Sequence, residues 1–83
     1  MNITVYEKQN CSDCADTKQD LTELGLDFTV VSLENNLTAL KDFRARGFRQ
    51  APIVETDGEV WAGYNPHKIA NLVPAEYDDS IWG

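Results

Sequence analysis

The chain has 83 residues, 42% of them hydrophobic, with 14 acidic against 7 basic side chains and a formal net charge of −7. This length allows one domain with a small core, and the acidic field disfavours nucleic acid and anionic membrane surfaces as partners. No apolar run approaches the roughly 18 residues of a membrane span and no charged-then-apolar leader opens the chain, so a cytoplasmic protein that acts on another protein is expected.

Residues 2–6, with the alternation Ile3-Thr4-Val5-Tyr6, predict a first strand placed centrally. Lys8 and the polar pair Gln9-Asn10 then lead into Cys11-Ser12-Asp13-Cys14. From Ser12, Cys14, Thr17, Leu21 and Leu24 recur at helical spacing up to Gly25, a residue suited to a C-terminal cap. Residues 27–33 are β-branched and apolar enough for a buried second strand. A strand–helix–strand unit of this length implies a right-handed parallel crossover, with the second strand beside the first.

Leu37, Leu40 and Phe43, with Leu33 as a candidate fourth, mark the apolar side of a second helix that Asn35 or Asn36 caps and Gly47 ends. Arg44, Arg46 and Arg49 gather at its end, where cations complement the helix dipole; a docking patch for an acidic partner segment is the functional alternative. Residues 51–55 form a short strand with Pro52 near its start, and Asp57-Gly58 turns it into a hairpin with residues 59–62. Asn65 caps and Pro66 opens a last helix whose apolar stripe is Ile69, Leu72 and Val73, with His67 exposed in its first turn. Residues 76–83 are an acidic, loosely ordered end, with Tyr77 and Trp82 as rings able to pack back. The order β-α-β-α-β-β-α makes residues 1–83 one α/β domain, a four-stranded mixed sheet with helices on its faces.

Chemistry concentrates at Cys11 and Cys14. Both thiols stand where a strand hands over to a helix, and the unpartnered N–H groups and positive dipole end of that helix favour a thiolate at Cys11, lowering its pKa below the free value of about 8.5. Cys14 lies one turn along the same face. Three blander readings compete. A structural disulfide closing a loop this short contributes only about 2 kcal/mol in the chain-entropy model, against about 3 for a fifteen-residue loop. A closed zinc site needs four ligands, and beyond the cysteine pair the chain has a single histidine, His67, so no metal is expected. Two inert core cysteines are the third reading, which the spacing disfavours. Redox exchange keeps the largest share: Cys11 attacks, Cys14 resolves, and no bound cofactor is required. Asp13, a like charge beside both sulfurs, partly offsets the helix terminus, and Lys8 is placed to compensate.

The whole pattern of strand, Cys-Ser-Asp-Cys, helix, strand, helix and Ala51-Pro52 opening a hairpin resembles the thioredoxin-fold redoxins over nearly all of the chain, and its length resembles a glutaredoxin. More specifically, Gly47-Phe48-Arg49-Gln50-Ala51-Pro52-Ile53-Val54 and Trp61-Ala62-Gly63-Tyr64-Asn65-Pro66 look like the signature of NrdH-type redoxins. The resemblance implies electron transfer from an NADPH-dependent thioredoxin reductase to a class Ib ribonucleotide reductase, and a cis peptide bond before Pro52 close to the cysteines. It also implies partner contacts at Ala51, Pro52, Trp61, Ala62, Gly63 and Tyr64. An extended partner segment would pair with the backbone of Ala51 as an added strand. Ala62 stands where the family usually has serine, and Asn65 where arginine is common. Two other functions compete. A glutathione-dependent glutaredoxin would use Tyr6, Lys8 and Pro52, but Gly63-Tyr64-Asn65-Pro66 lacks the glycine pair and acidic residue that such sites use. A non-catalytic binding module would keep the fold and its groove without thiol cycling. A monomer is the default at this size.

Overall fold

The computed structural model describes residues 2–73; the expectations for residues 76–83, Tyr77 and Trp82 lie outside this range. The elements are β1 (Thr4–Glu7), α1 (Ser12–Glu23), β2 (Thr29–Ser32), α2 (Leu37–Ala45), β3 (Ile53–Glu55), β4 (Val60–Ala62) and α3 (Pro66–Ala70), with a 3-10 turn at Leu33–Asn35 before α2. The expected order therefore stands.

The sheet runs β2-β1-β3-β4, with β1 parallel to β2 and antiparallel to β3, and β3 and β4 forming the hairpin. Register decides which side chains share a face. Val5 stands beside Val54 and Val54 beside Trp61, whereas Tyr6 stands beside Ile53 and Ile53 beside Ala62. Because neighbouring residues of a strand point to opposite faces, these two rows build two cores. The first row packs with Ile3, Leu21, Ile69 and Leu72, drawing α1 and α3 onto one face. The second packs with Leu33 and Phe43, drawing α2 onto the other. Full burial of a side chain such as Leu21 or Val5, both 0% exposed, contributes about 1.5–3 kcal/mol.

Local signals account for the helix ends. Asn36 accepts the N–H of Ala39 at 3.1 Å and Asn65 that of Lys68 at 3.1 Å, each supplying one partner that a helix N-terminus lacks. Gly25 has φ +72°, which lets Leu26 N–H return to Leu21 C=O at 3.0 Å and close α1. Gly47 does the same for α2, where Phe48 N–H reaches Phe43 C=O at 2.9 Å.

Several expectations are corrected. The second strand is not buried: among the described residues β2 is the outer strand of the sheet, and Thr29 and Val30 are exposed. Leu37 is 61% exposed, because as the first residue of α2 it lies away from the sheet, and Leu24, beyond the last turn of α1, is also exposed. β1 begins at Thr4 rather than residue 2, and α3 stops at Ala70, so Leu72 reaches the core from the turn that follows.

Candidate active site

Cys11 is the N-cap residue of α1, with extended backbone (φ −116°, ψ 103°) and its Sγ accepting the N–H of Cys14 at 3.1 Å. Asn10 before it adopts φ +56°, a left-handed turn that asparagine tolerates better than most side chains, and this turn redirects the chain from β1 into the helix. Cys11 and Cys14 are joined by a disulfide with their Cα atoms 5.2 Å apart. Their exposures differ. Cys14 is 2% exposed whereas Cys11 is only partly covered, so an incoming sulfur meets Cys11 first. A sulfur already receiving a backbone N–H at a helix N-terminus gains from carrying negative charge, which is the condition for a nucleophilic thiolate.

The sheet brings several distant residues to this same end. β1 runs toward the cysteine loop, and β3, antiparallel to it, starts there, so Ala51 and Pro52 fall beside the end of β1. β4 finishes there, delivering Gly63 and Tyr64, and β2 finishes there too, delivering Glu34. Glu34 Oε1 accepts the N–H of Gln9 at 2.7 Å and so fixes the loop that carries Cys11. The Ala51–Pro52 bond is cis, Pro52 is buried, and its C=O accepts the N–H of Gly63 at 2.7 Å. Ala51 is half-buried and enters no backbone hydrogen bond among the described residues.

The remaining residues singled out from the sequence are placed less uniformly. Trp61 lies in the α1–α3 core at 6% exposure, where its register with Val54 puts it, with its indole N–H unpartnered among the described residues. Ala62 is half-buried on the opposite face, Gly63 is buried, and Tyr64 is exposed. The Tyr64 hydroxyl donates to Asp20 Oδ2 at 2.6 Å, and this bond holds its proton so well that its pKa is pushed up to about 12. Tyr6, a candidate for glutathione contact, instead directs its hydroxyl to Glu55 Oε1 at 3.2 Å; burial first, then the Glu55 charge, push its pKa up. Lys8 and Asp13 are exposed and their side chains form neither a hydrogen bond nor an ion pair with each other among the described residues. Asp20 and Glu34 are not legible in the sequence as site residues, since each acts through a contact distant in sequence.

Beside the cysteine loop, on the α2 face, lies a groove of about 240 Å³ that runs from Lys8 and Gln9 to Ala51. Its floor is apolar, with Leu33, Leu40, Phe43, Phe48 and Ile53, and Arg44 and Arg49 stand among its walls. Arg46 takes another path: it pairs with Asp42 at 3.3 Å and lies over the rings of Phe43 and Phe48, 5.1 and 5.6 Å from their centres.

A glutaredoxin family model matches residues 3–61. The glutaredoxin-like protein NrdH of Escherichia coli strain K12 is 35% identical over 77 residues, covering 93% of this chain and 95% of that protein. NrdH of Lactococcus lactis subsp. cremoris is 30% identical, over 84% of this chain and 97% of its own. The solved structure of Escherichia coli NrdH-redoxin, described as a glutaredoxin-like protein with a thioredoxin-like activity profile, superposes with a TM-score of 0.87 at 36% identity, covering 90% of this chain and 99% of that one.

Proposed function

Because this chain belongs to the glutaredoxin family, as an NrdH-like redox protein, we propose that Cys11 and Cys14 are its exchanging pair and that it carries electrons between two protein partners. The observation that carries this reading is the asymmetry of the pair: Cys11 is the accessible sulfur at the helix N-cap and Cys14 the buried one beneath it.

In the reduced protein the Cys11 thiolate attacks a partner disulfide. One sulfur–sulfur bond forms between Cys11 and the partner, and the partner's other sulfur leaves as a thiolate. Cys14 then loses its proton and attacks Cys11 Sγ, forming the Cys11–Cys14 disulfide and releasing the second partner thiolate. Two electrons pass to the partner, which takes up two protons. Ala51 and Pro52 bound the docking strip, where the backbone of Ala51, without a backbone hydrogen bond among the described residues, offers a partner segment one strand-like pairing. Gly63 and Tyr64 form its far side.

The donor is a thioredoxin reductase and the acceptor the disulfide of a class Ib ribonucleotide reductase, the partners implied by the NrdH resemblance, with the protein working as a cytoplasmic monomer. A glutathione route has less support. Asn65, in the position where such a site needs an acid, uses its side chain to cap α3.

The experiment is NADPH oxidation by the purified protein with a protein disulfide, coupled either to thioredoxin reductase or to glutathione and glutathione reductase. Turnover with thioredoxin reductase alone, abolished in Cys11→Ser, is expected. Turnover only with glutathione would reverse the choice of donor.

A further inference from the structure

The chain is strongly acidic, yet three of the four cations that form no ion pair among the described residues converge on one place. Of the seven Lys and Arg side chains, Lys18 pairs with Glu7, Arg46 with Asp42 and Lys68 with Glu59. Of the remaining four, Lys8, Arg44 and Arg49 all line the groove beside the cysteine loop and form no ion pair among the described residues. Among the described residues Glu34 is the single acid in that lining, and its carboxylate already accepts the Gln9 N–H. The helix dipole accounts for a cation at Arg44, the one basic residue in the last turn of α2, but not for Lys8, which comes from the loop after β1.

From this charge pattern we infer that the groove takes an acidic segment of a partner protein, with an apolar side chain on its floor and carboxylates against Arg44, Arg49 and Lys8. The inference rests on the dithiol function proposed above and adds the chemistry of the segment that presents the disulfide. The whole-molecule charge opposes such a segment at long range, whereas the groove attracts it at contact. Contact prevails here: with a Debye length of about 10 Å at 0.1 M salt, distant carboxylates are largely screened while cations touching the segment are not.

The test needs no second enzyme. Short peptides carrying one cysteine as a mixed disulfide with 2-mercaptoethanol are prepared in three forms, with aspartates, asparagines or lysines flanking a leucine and the cysteine. Pre-reduced full-length protein supplies two electrons per event, yielding peptide thiol, mercaptoethanol and the Cys11–Cys14 disulfide, and the released peptide thiol is followed by chromatography. The acidic peptide is expected to react about tenfold faster than the neutral one, the summed effect of two modest charge contacts. That ratio should fall toward one between about 0.1 M and about 1 M salt. In Arg44→Ala/Arg49→Ala the ratio should collapse, and in Arg44→Lys/Arg49→Lys it should persist; a ratio is insensitive to general loss of activity.

Equal rates for the three peptides would overturn the inference and leave the dithiol reaction standing, as would a ratio that rises with salt. Glutathione disulfide reduced as fast as the acidic peptide would also overturn it, since the groove would then be reading a small free carboxylate. No reaction with any peptide would remove the dithiol assignment and the inference together.

Discussion

The side-chain amide of Gln50 lies over Gly63, occupying the space in which a Cβ at that position would have to sit. Gly63 has φ +86°, and its N–H is held by Pro52 C=O, so the backbone there has little freedom to move aside. Gly63→Ala should therefore lose about 1–2 kcal/mol from the left-handed backbone, with only a small further loss from displacing the end of the exposed Gln50 side chain. In a Gln50→Ala background part of that further loss should return. Urea unfolding of the two single variants and the double variant measures it; strict additivity would mean that the Gln50 side chain swings away freely.

Asp13 sits in the first turn of α1 with its side chain exposed, where it places a like charge near a Cys11 thiolate. Lys8 makes no ion pair with it among the described residues, so the offset expected from that lysine is at most a long-range one. Asp13→Asn should shift the pH midpoint of iodoacetamide alkylation of reduced Cys11 downward, by a few tenths of a unit. An unchanged or higher midpoint would remove Asp13 from the control of the thiol.

Tyr64 supplies a test at alkaline pH. Its raised pKa means that the folded chain keeps a proton which the unfolded chain releases near pH 10. The stabilisation is fully present below pH 10 and is lost as pH climbs toward about 12, because through that window the native state binds more protons. Tyr64→Phe should be less stable than the parent at neutral pH and should show a shallower loss across the window. Tyr6, raised by burial and Glu55, continues to contribute a slope of the same sign. Urea midpoints from pH 9 upward, with tyrosinate absorbance alongside, give the comparison; identical slopes would show that the Asp20 bond is absent in solution.

The Cys11–Cys14 bridge spans a sequence separation of only three. Its effect on the unfolded chain is correspondingly small, about 2 kcal/mol in the chain-entropy model, and a thiolate favoured at the α1 N-cap recovers some of this on reduction. Oxidised and reduced protein should thus differ in unfolding free energy by less than about 2 kcal/mol. Guanidinium denaturation with and without reductant checks this, and a reduced form that fails to fold would show the bridge to be a structural staple.

What the sequence discloses here is local. The caps at Asn36 and Asn65, the turn glycines Gly25 and Gly47, and the cysteine pair at a strand–helix junction are each written within a few neighbouring residues, and each appears in the structure as expected. The exposure of β2 is not written there, because 27–33 has the composition of a buried strand and only the sheet order makes it an edge. Motif resemblance marks Trp61 as a contact residue but carries no information on its burial, which its register with Val54 decides. Glu34 on Gln9, Asp20 on Tyr64 and Gln50 on Gly63 join residues 25, 44 and 13 positions apart; no period or spacing signals such pairs.

The open outer side of β2 bears on crowding and self-association. A strand of four residues has room for very few added hydrogen bonds, so a second chain laid along it gains little. Such a neighbour, if another copy, also brings a second charge of −7 to close range. Shortness and like charge together guard an edge that carries no proline, bulge or lysine of its own, and concentrated solutions should remain clear at low salt and lose that margin as salt is added.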